Sequence, residues 1–218
     1  MEFYSFKRKF VEKAISLDKI MSNSIDIVVE TINKKINPIE TKIVNHQIEI
    51  IIEADQLIPC FQFLKDNSKC QFRQLTDIAG VDYPDRENRF EVVYHLLSFK
   101  NNLRARVKVF IDENSTIESL TSVFPCANWF EREAFDMYGI QFNDHPDLRR
   151  ILTDYGFEGY PLRKDFPLSG NVEVRYNEIE KKIVYEPVKL QQDYRHFDIQ
   201  SPWEGTTYKQ EEEKDNNG

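Results

Sequence analysis

Residues 90–111 read FEVVYHLLSFKNNLRARVKVFI, and this stretch decides the fold. In its second half Leu103, Ala105, Val107, Val109 and Ile111 alternate with Arg104, Arg106 and Lys108. A period of two belongs to a strand, here with one apolar and one cationic face. The first half, Phe90 to Phe99, is a second apolar strand. Between them stands Asn101-Asn102, and asparagine tolerates the positive φ that a tight hairpin turn needs. The cationic face reads either as a solvated sheet surface or as a docking face for an acidic partner.

Upstream, Pro84-Asp85-Arg86-Glu87-Asn88 is a turn signal that joins this pair to a third strand over Cys70 to Tyr83. Before it, Asp55 to Asn67 reads as a helix with Leu57, Phe61 and Leu64 on one side. Pro59 falls in its early turns, where proline is tolerated. Gln47 to Glu53 reads as a strand. Residues 1–37 carry a helical pattern, Phe6, Phe10, Ala14 and Leu17 and then Ile25, Val28, Val29 and Ile32, which Pro38 ends. Downstream, two helices are expected, Thr116 to Phe124 and about Trp129 to Tyr138. Asn128 and Glu131 resemble a capping box for the second, and Gly139 is its stop. Strand, helix, three-strand meander and helices together predict an α+β fold with a mostly antiparallel sheet packed with helices over 38–142.

From 143 to 218 the texture changes. Five of the nine prolines and five of the seven glycines lie there, among Leu148, Ile151, Tyr155, Phe157, Phe166 and Trp203. Proline and glycine break helices. Large apolar side chains on irregular backbone must still be buried with the backbone groups bonded. The pattern predicts a long extended C-terminal arm lying on another protein. The chain therefore divides into a variable helical segment 1–37, an α+β domain 38–142 and a partner-binding arm 143–218.

Composition excludes several classes. A net charge of -8 and a pI near 5.2 make nucleic acid a poor partner. No run approaches the roughly 20 apolar residues of a membrane span. Met1 to Lys9 lacks a secretory core, and Glu2, Glu12 and Asp18 spoil a transit peptide. The 21 Ile and 15 Asn against 6 Ala suit AT-rich codons. Cys60, Cys70 and Cys126 are too few and wrongly spaced for a four-cysteine metal site.

Three clusters invite chemistry. His145 between Asp144 and Asp147 suits a metal, as in a free-standing hydrolase, or a capped loop. Glu131, Arg132, Glu133 and Asp136 share one helix. Arg132 and Asp136 stand at i,i+4, and Glu133 is expected to fall on the partly buried side of Trp129 and Met137, where burial raises a carboxyl pKa. Arg149, Arg150, Arg163 and Lys164 bracket Tyr155, Phe157 and Tyr160. Acids such as Asp165 sit among them, so these residues suit anchors at a protein interface better than a nucleic-acid groove.

The stretch Trp129 to Ile140 (WFEREAFDMYGI), continued by His145 to Gly159 (HPDLRRILTDYGFEG) and Pro161 to Leu168 (PLRKDFPL), closely resembles the thirty-kilodalton subunit of respiratory complex I, in the mitochondrially encoded form often called NADH dehydrogenase subunit 9. Leu75 to Pro84, Arg89 to Tyr94, Val172 to Tyr176, Glu186-Pro187 and Ser201 to Glu204 fit the same family. The resemblance spans roughly residues 70–204. It implies a core structural subunit of the hydrophilic arm of a proton-translocating NADH:ubiquinone oxidoreductase, beside the forty-nine-kilodalton subunit that lines the quinone site. It implies no active site and no cofactor in this chain, with FMN and iron–sulfur clusters in neighbouring subunits. It implies the matrix side of the mitochondrial inner membrane, or less readily the cytoplasmic side of a bacterial plasma membrane. On this resemblance Glu131, Arg132, Glu133, His145, Arg149, Arg150, Tyr155, Phe157, Arg163, Lys164, Asp165, Phe166 and Trp203 are the expected partner interface. An adaptor or assembly factor outside the enzyme is the alternative.

Overall fold

A computed structural model describes residues 25–190 and Gln192. The helical pattern expected before residue 25 and Trp203 lie outside them. The meander read from the sequence is the heart of a five-stranded sheet ordered β1-β2-β5-β4-β3. Its strands are β1 (Glu40–Val44), β2 (Gln47–Ile52), β3 (Gln74–Asp82), β4 (Phe90–Ser98) and β5 (Leu103–Ile111). β3, β4 and β5 run antiparallel, with Tyr94 opposite both Ile78 and Val107. β2 joins β5 in parallel, Ile50 opposite Val107, so the sheet is mixed and not uniformly antiparallel. A parallel neighbour requires a crossover, and α2 (Leu57–Asp66) lies within that connection.

The alternation decides which face is buried. Ile48, Ile50, Ile52, Leu103, Ala105, Val107 and Val109 are all at most 2% exposed. They form one core with Leu57, Phe61 and Leu64 of α2 and with Ile25, Val28 and Ile32 of α1 (residues 25–35). Spacing of three and four places the α1 residues on one helical stripe. Phe61 meets Tyr94 and Phe124 edge-on, with ring centroids 5.1 and 6.3 Å apart. On the opposite face the cations of β5 are largely matched. Lys108 reaches Glu49 at 3.3 Å and Glu91 at 3.2 Å, and Arg106 reaches Glu49 at 3.5 Å.

Two expectations fail locally. Thr116 to Phe124 is not a helix. It is the short strand β6 (Thr116–Glu118) and a single 3-10 turn, Leu120–Ser122. β6 pairs in parallel with β7 (Gln141–Asn143). The β-branched Thr116 and Ile117 favour that pairing, and Ser119 caps the turn by accepting the Thr121 N–H. β1 is an addition to the strands expected from the sequence. Asn45 and His46, at φ 50 and 62°, form the two-residue turn into β2.

α3 (Ala127–Tyr138) opens at Cys126 without a side-chain cap, so Asn128 and Glu131 form no capping box. Gly139, at φ 80°, ends it in the left-handed conformation. Gly80 of β3 lets α3 approach closely, since a Cβ there would lie 2.6 Å from the Tyr138 ring.

The chain divides into two compact units at Leu168 and Ser169, not at 142 and 143. Residues 143–168, expected in the arm, belong to the first unit. The second unit contains the hairpin β8 (Val172–Asn177) and β9 (Lys182–Pro187), which supplies regular structure where an irregular arm was expected.

Candidate interface and its anchoring network

Residues 143–168 stay on the first unit because buried carboxylates collect their backbone. Asp136 of α3 is the main one, and its side chain is 0% exposed. It accepts the N–H groups of Ile151, Leu152 and Thr153 at 2.7–3.0 Å, the Thr153 hydroxyl at 2.7 Å and Arg150 Nη1 at 3.0 Å. Burial pushes this carboxyl up, but the Thr153 hydroxyl and the three N–H donors outweigh it and bring the pKa down to about 2. Arg132 is not its partner, as the i,i+4 spacing had suggested. Arg132 turns to the carbonyls of Arg149 and Arg150, at 3.1 and 3.2 Å. Two side chains of one helix thus hold opposite polarities of one loop.

A second clasp grips residues 163–165. Asp82, with its side chain 0% exposed, accepts Arg89 Nε at 2.7 Å and the Lys164 N–H at 2.7 Å. Burial again opposes, but the bonds from Arg89 and Lys164 hold its carboxyl below the usual range. Arg89 also reaches Glu113 at 3.1 Å and Asp165 at 2.9 Å. Arg163 donates to the Tyr138 carbonyl at 2.6 Å and to Glu113 at 2.5 Å, and its guanidinium lies 4.5 Å from the Tyr160 ring centroid. Arg150 donates to the Gly159 carbonyl, and Phe157 meets Phe166 at 5.9 Å.

The expected interface residues therefore separate into three groups. Glu131 and Arg132 are buried within their own fold, 0% and 8% exposed, and present no surface. Arg150, Phe157, Arg163 and Phe166 are half-buried and engaged internally. Exposed are Glu133, Arg149, Tyr155 (100%), Lys164 and Asp165. Glu133 is not on the buried side of α3; Glu131 is, and Trp129, taken as inward, is 69% exposed. Burial pushes the Glu131 carboxyl up to about 7, against the hydrogen bonds from Ser119 and Leu120 that lower it.

His145 is a loop cap. Its Nδ1 accepts the Asp147 N–H at 3.1 Å, which leaves Nε2–H to donate to the Asn128 carbonyl at 3.0 Å. With both nitrogens engaged, it directs no lone pair at a metal. Among the described residues no three His, Cys, Asp or Glu side chains converge on a common point.

Sequence reasoning missed an apolar hairpin face. In β8 and β9 the cross-strand pairs Val172–Pro187, Val174–Tyr185 and Tyr176–Ile183 share one face of the hairpin. Val172, Val174, Tyr176 and Ile183 are each 56–61% exposed. The other face is charged, with Arg175 bound to Glu186 at 2.7 and 2.9 Å. The alternations VEVRY and KIVYEP were the available signal.

Residues 50–172 match the family described as the respiratory-chain NADH dehydrogenase 30 Kd subunit. An NADH-quinone oxidoreductase subunit from Hyphomonas neptunium is 61% identical over 161 residues, covering 74% of this chain and 80% of the relative. Its counterpart from Paramagnetospirillum magneticum is 60% identical, covering 73% and 80%. The counterpart from Rhizobium meliloti is 61% identical, covering 74% and 81%. These relatives are bacterial, whereas the sequence resemblance had suggested the mitochondrially encoded form. A chain in the structure of the membrane-bound sulfane sulfur reductase, an archaeal respiratory membrane complex, shares the fold with TM-score 0.59 and 27% identity, covering 66% of this chain and 85% of its own.

Proposed function

Because the chain belongs to the family of the 30 Kd subunit of respiratory-chain NADH dehydrogenase, we propose that it is a non-catalytic structural subunit of the hydrophilic arm of complex I. It docks on the forty-nine-kilodalton subunit and holds the arm together while electrons pass from NADH to quinone through other chains. The observation that carries this reading is the exposed apolar face of the β8–β9 hairpin, Val172, Val174, Tyr176 and Ile183. A two-stranded hairpin is marginally stable alone, and apolar faces of this kind mark protein contacts. Tyr155, Trp129 and Arg149 supply exposed anchors on the first unit.

FMN and iron–sulfur clusters lie in neighbouring subunits. Burial pushes the thiols of Cys60 and Cys70 up to about 12 and about 11, which makes them poor sources of thiolate ligands. Among the described residues no helix is long and apolar enough to cross a membrane, and the subunit is held peripherally by its partners. Its place is the matrix side of the mitochondrial inner membrane. Residue usage supports this, while the bacterial relatives support the equivalent cytoplasmic side of a bacterial membrane; fractionation of the source cell separates the two.

The test replaces Val174 and Tyr176 by Glu in a strain lacking the native subunit. Loss of co-migration with NADH dehydrogenase activity on a native gel is expected, with the circular dichroism of the isolated chain little changed. Normal incorporation would sink the reading.

A further inference from the structure

Glu131 sits on α3 with its side chain 0% exposed. Its Oε1 accepts the Leu120 N–H at 2.7 Å and its Oε2 accepts the Ser119 hydroxyl at 2.6 Å. No cation among the described residues faces it. His145 Nε2 is 3.9 Å away, and its two ring nitrogens are taken up by the Asn128 carbonyl and the Asp147 N–H. From α2, Lys65 gives its ammonium to the Val123 carbonyl. On α3 itself Arg132 serves carbonyls 149 and 150, and Asp136 is bound to Arg150. From β4 comes Tyr94, whose enclosed hydroxyl has no hydrogen-bond partner among the described residues and whose own ionisation is opposed by burial and then by Glu131.

The hydroxyl pair next to Glu131 is reversible. Ser119 Oγ and Thr121 Oγ1 are 2.8 Å apart, and either can donate to the other. When Glu131 is ionised, Ser119 donates to it. When Glu131 carries a proton, Ser119 accepts that proton's hydrogen bond and donates to Thr121, and the Leu120 N–H keeps its acceptor. Both protonation states therefore leave these bonds satisfied, and they differ only in a buried charge.

We propose that Glu131 is a buried proton-binding site, whose ionisation loosens the junction of the Leu120 turn, α3 and the His145 loop. Proton loss places an uncompensated carboxylate in that junction. The ordinary pKa of 4.5 is pushed up to about 7 by burial. Between those values the folded chain holds a proton that the unfolded chain has lost, so stability falls as pH rises through this window and levels off above it. His95, on the other face of β4, works in the opposite sense. Burial, and then Arg106, lower its pKa, so the folded chain resists a proton that the unfolded chain takes up on the acid side.

The glutamine variant E131Q separates the two, since its amide donates to Ser119 and its oxygen accepts from Leu120, imitating the protonated acid. Urea unfolding of the full chain is compared for the native protein and E131Q. The ratio of their folding constants should shift in favour of E131Q by at least about tenfold between about pH 5.5 and pH 8.5. A ratio that stays flat overturns the proposal. If E131Q does not fold, infrared spectroscopy of the native chain and S119A decides. A protonated-carboxyl band near pH 6 that persists to higher pH in S119A is expected. Its absence from the native chain at that pH overturns the site.

Discussion

At the scale of the residue, two arginines quoted in the same motif have different roles. Among the described residues Arg149 is paired only with Asp147, both side chains more than half exposed. Arg163 is 14% exposed and bonded to Tyr138 and Glu113. Arg149→Ala should change the stability of the isolated chain by less than about 1 kcal/mol. Arg163→Ala should cost about 2–3 kcal/mol in urea unfolding, because the Tyr138 carbonyl and Glu113 lose a charged donor. Asp136→Asn should cost about 3–5 kcal/mol by leaving Arg150 without its counter-charge. Because the Asp136 pKa is lowered from 3.8 to about 2, its stabilisation is full above about pH 4 and is lost as pH falls through 2. Acid unfolding of the native chain but not of Asp136→Asn should carry that component. The sequence showed these carboxylates but assigned the buried role wrongly. Successive helical residues are about 100° apart, so taking Trp129 as inward moved Glu133 inside.

At the scale of the element, the meander was legible because period two is clean in β5 and β4 is a long apolar run beside it. The turn residues at 84–88 and 101–102 were legible too. β6 was not. Three residues are too short for a period to emerge, and their partner β7 lies 25 positions away in the register Thr116–Gln141. α3 was legible in type and in its C-terminal stop. What fixes its distance from β3 is Gly80, whose role depends on a residue 58 positions later. Gly80→Ala would press a methyl group into the Tyr138 ring and should cost about 1–3 kcal/mol. Adding Tyr138→Ala should recover part of that cost, and a double-mutant cycle with near-additive losses would show that the two residues are not coupled.

At the scale of the molecule, the resemblance motif identified the family, while the domain boundary was misplaced. Proline and glycine density marked the irregular backbone of residues 144–171 but hid the β8–β9 hairpin that follows. It did not reveal that Asp82 and Asp136 gather residues 150–164 into the first unit, because those bonds join positions as far as 82 residues apart. Limited trypsinolysis of the isolated chain should therefore cut at Arg175, Lys181, Lys182 or Lys189 and leave Arg149, Arg150 and Arg163 protected. Early cleavage at Arg150 or Arg163 would mean that the clasps open readily.

The bond from the Lys164 N–H to Asp82 also bears on biosynthesis. Asp82 leaves the ribosome long before residue 164 is translated, and until then its carboxylate and Arg89 have neither the peptide nor the acid that complete the clasp. The nascent sheet must wait for more than eighty further residues before its last ring of contacts closes. Folding of the first unit is thus tied to the translation of residues around 164, and the interval before it is when a chaperone has most reason to engage the chain.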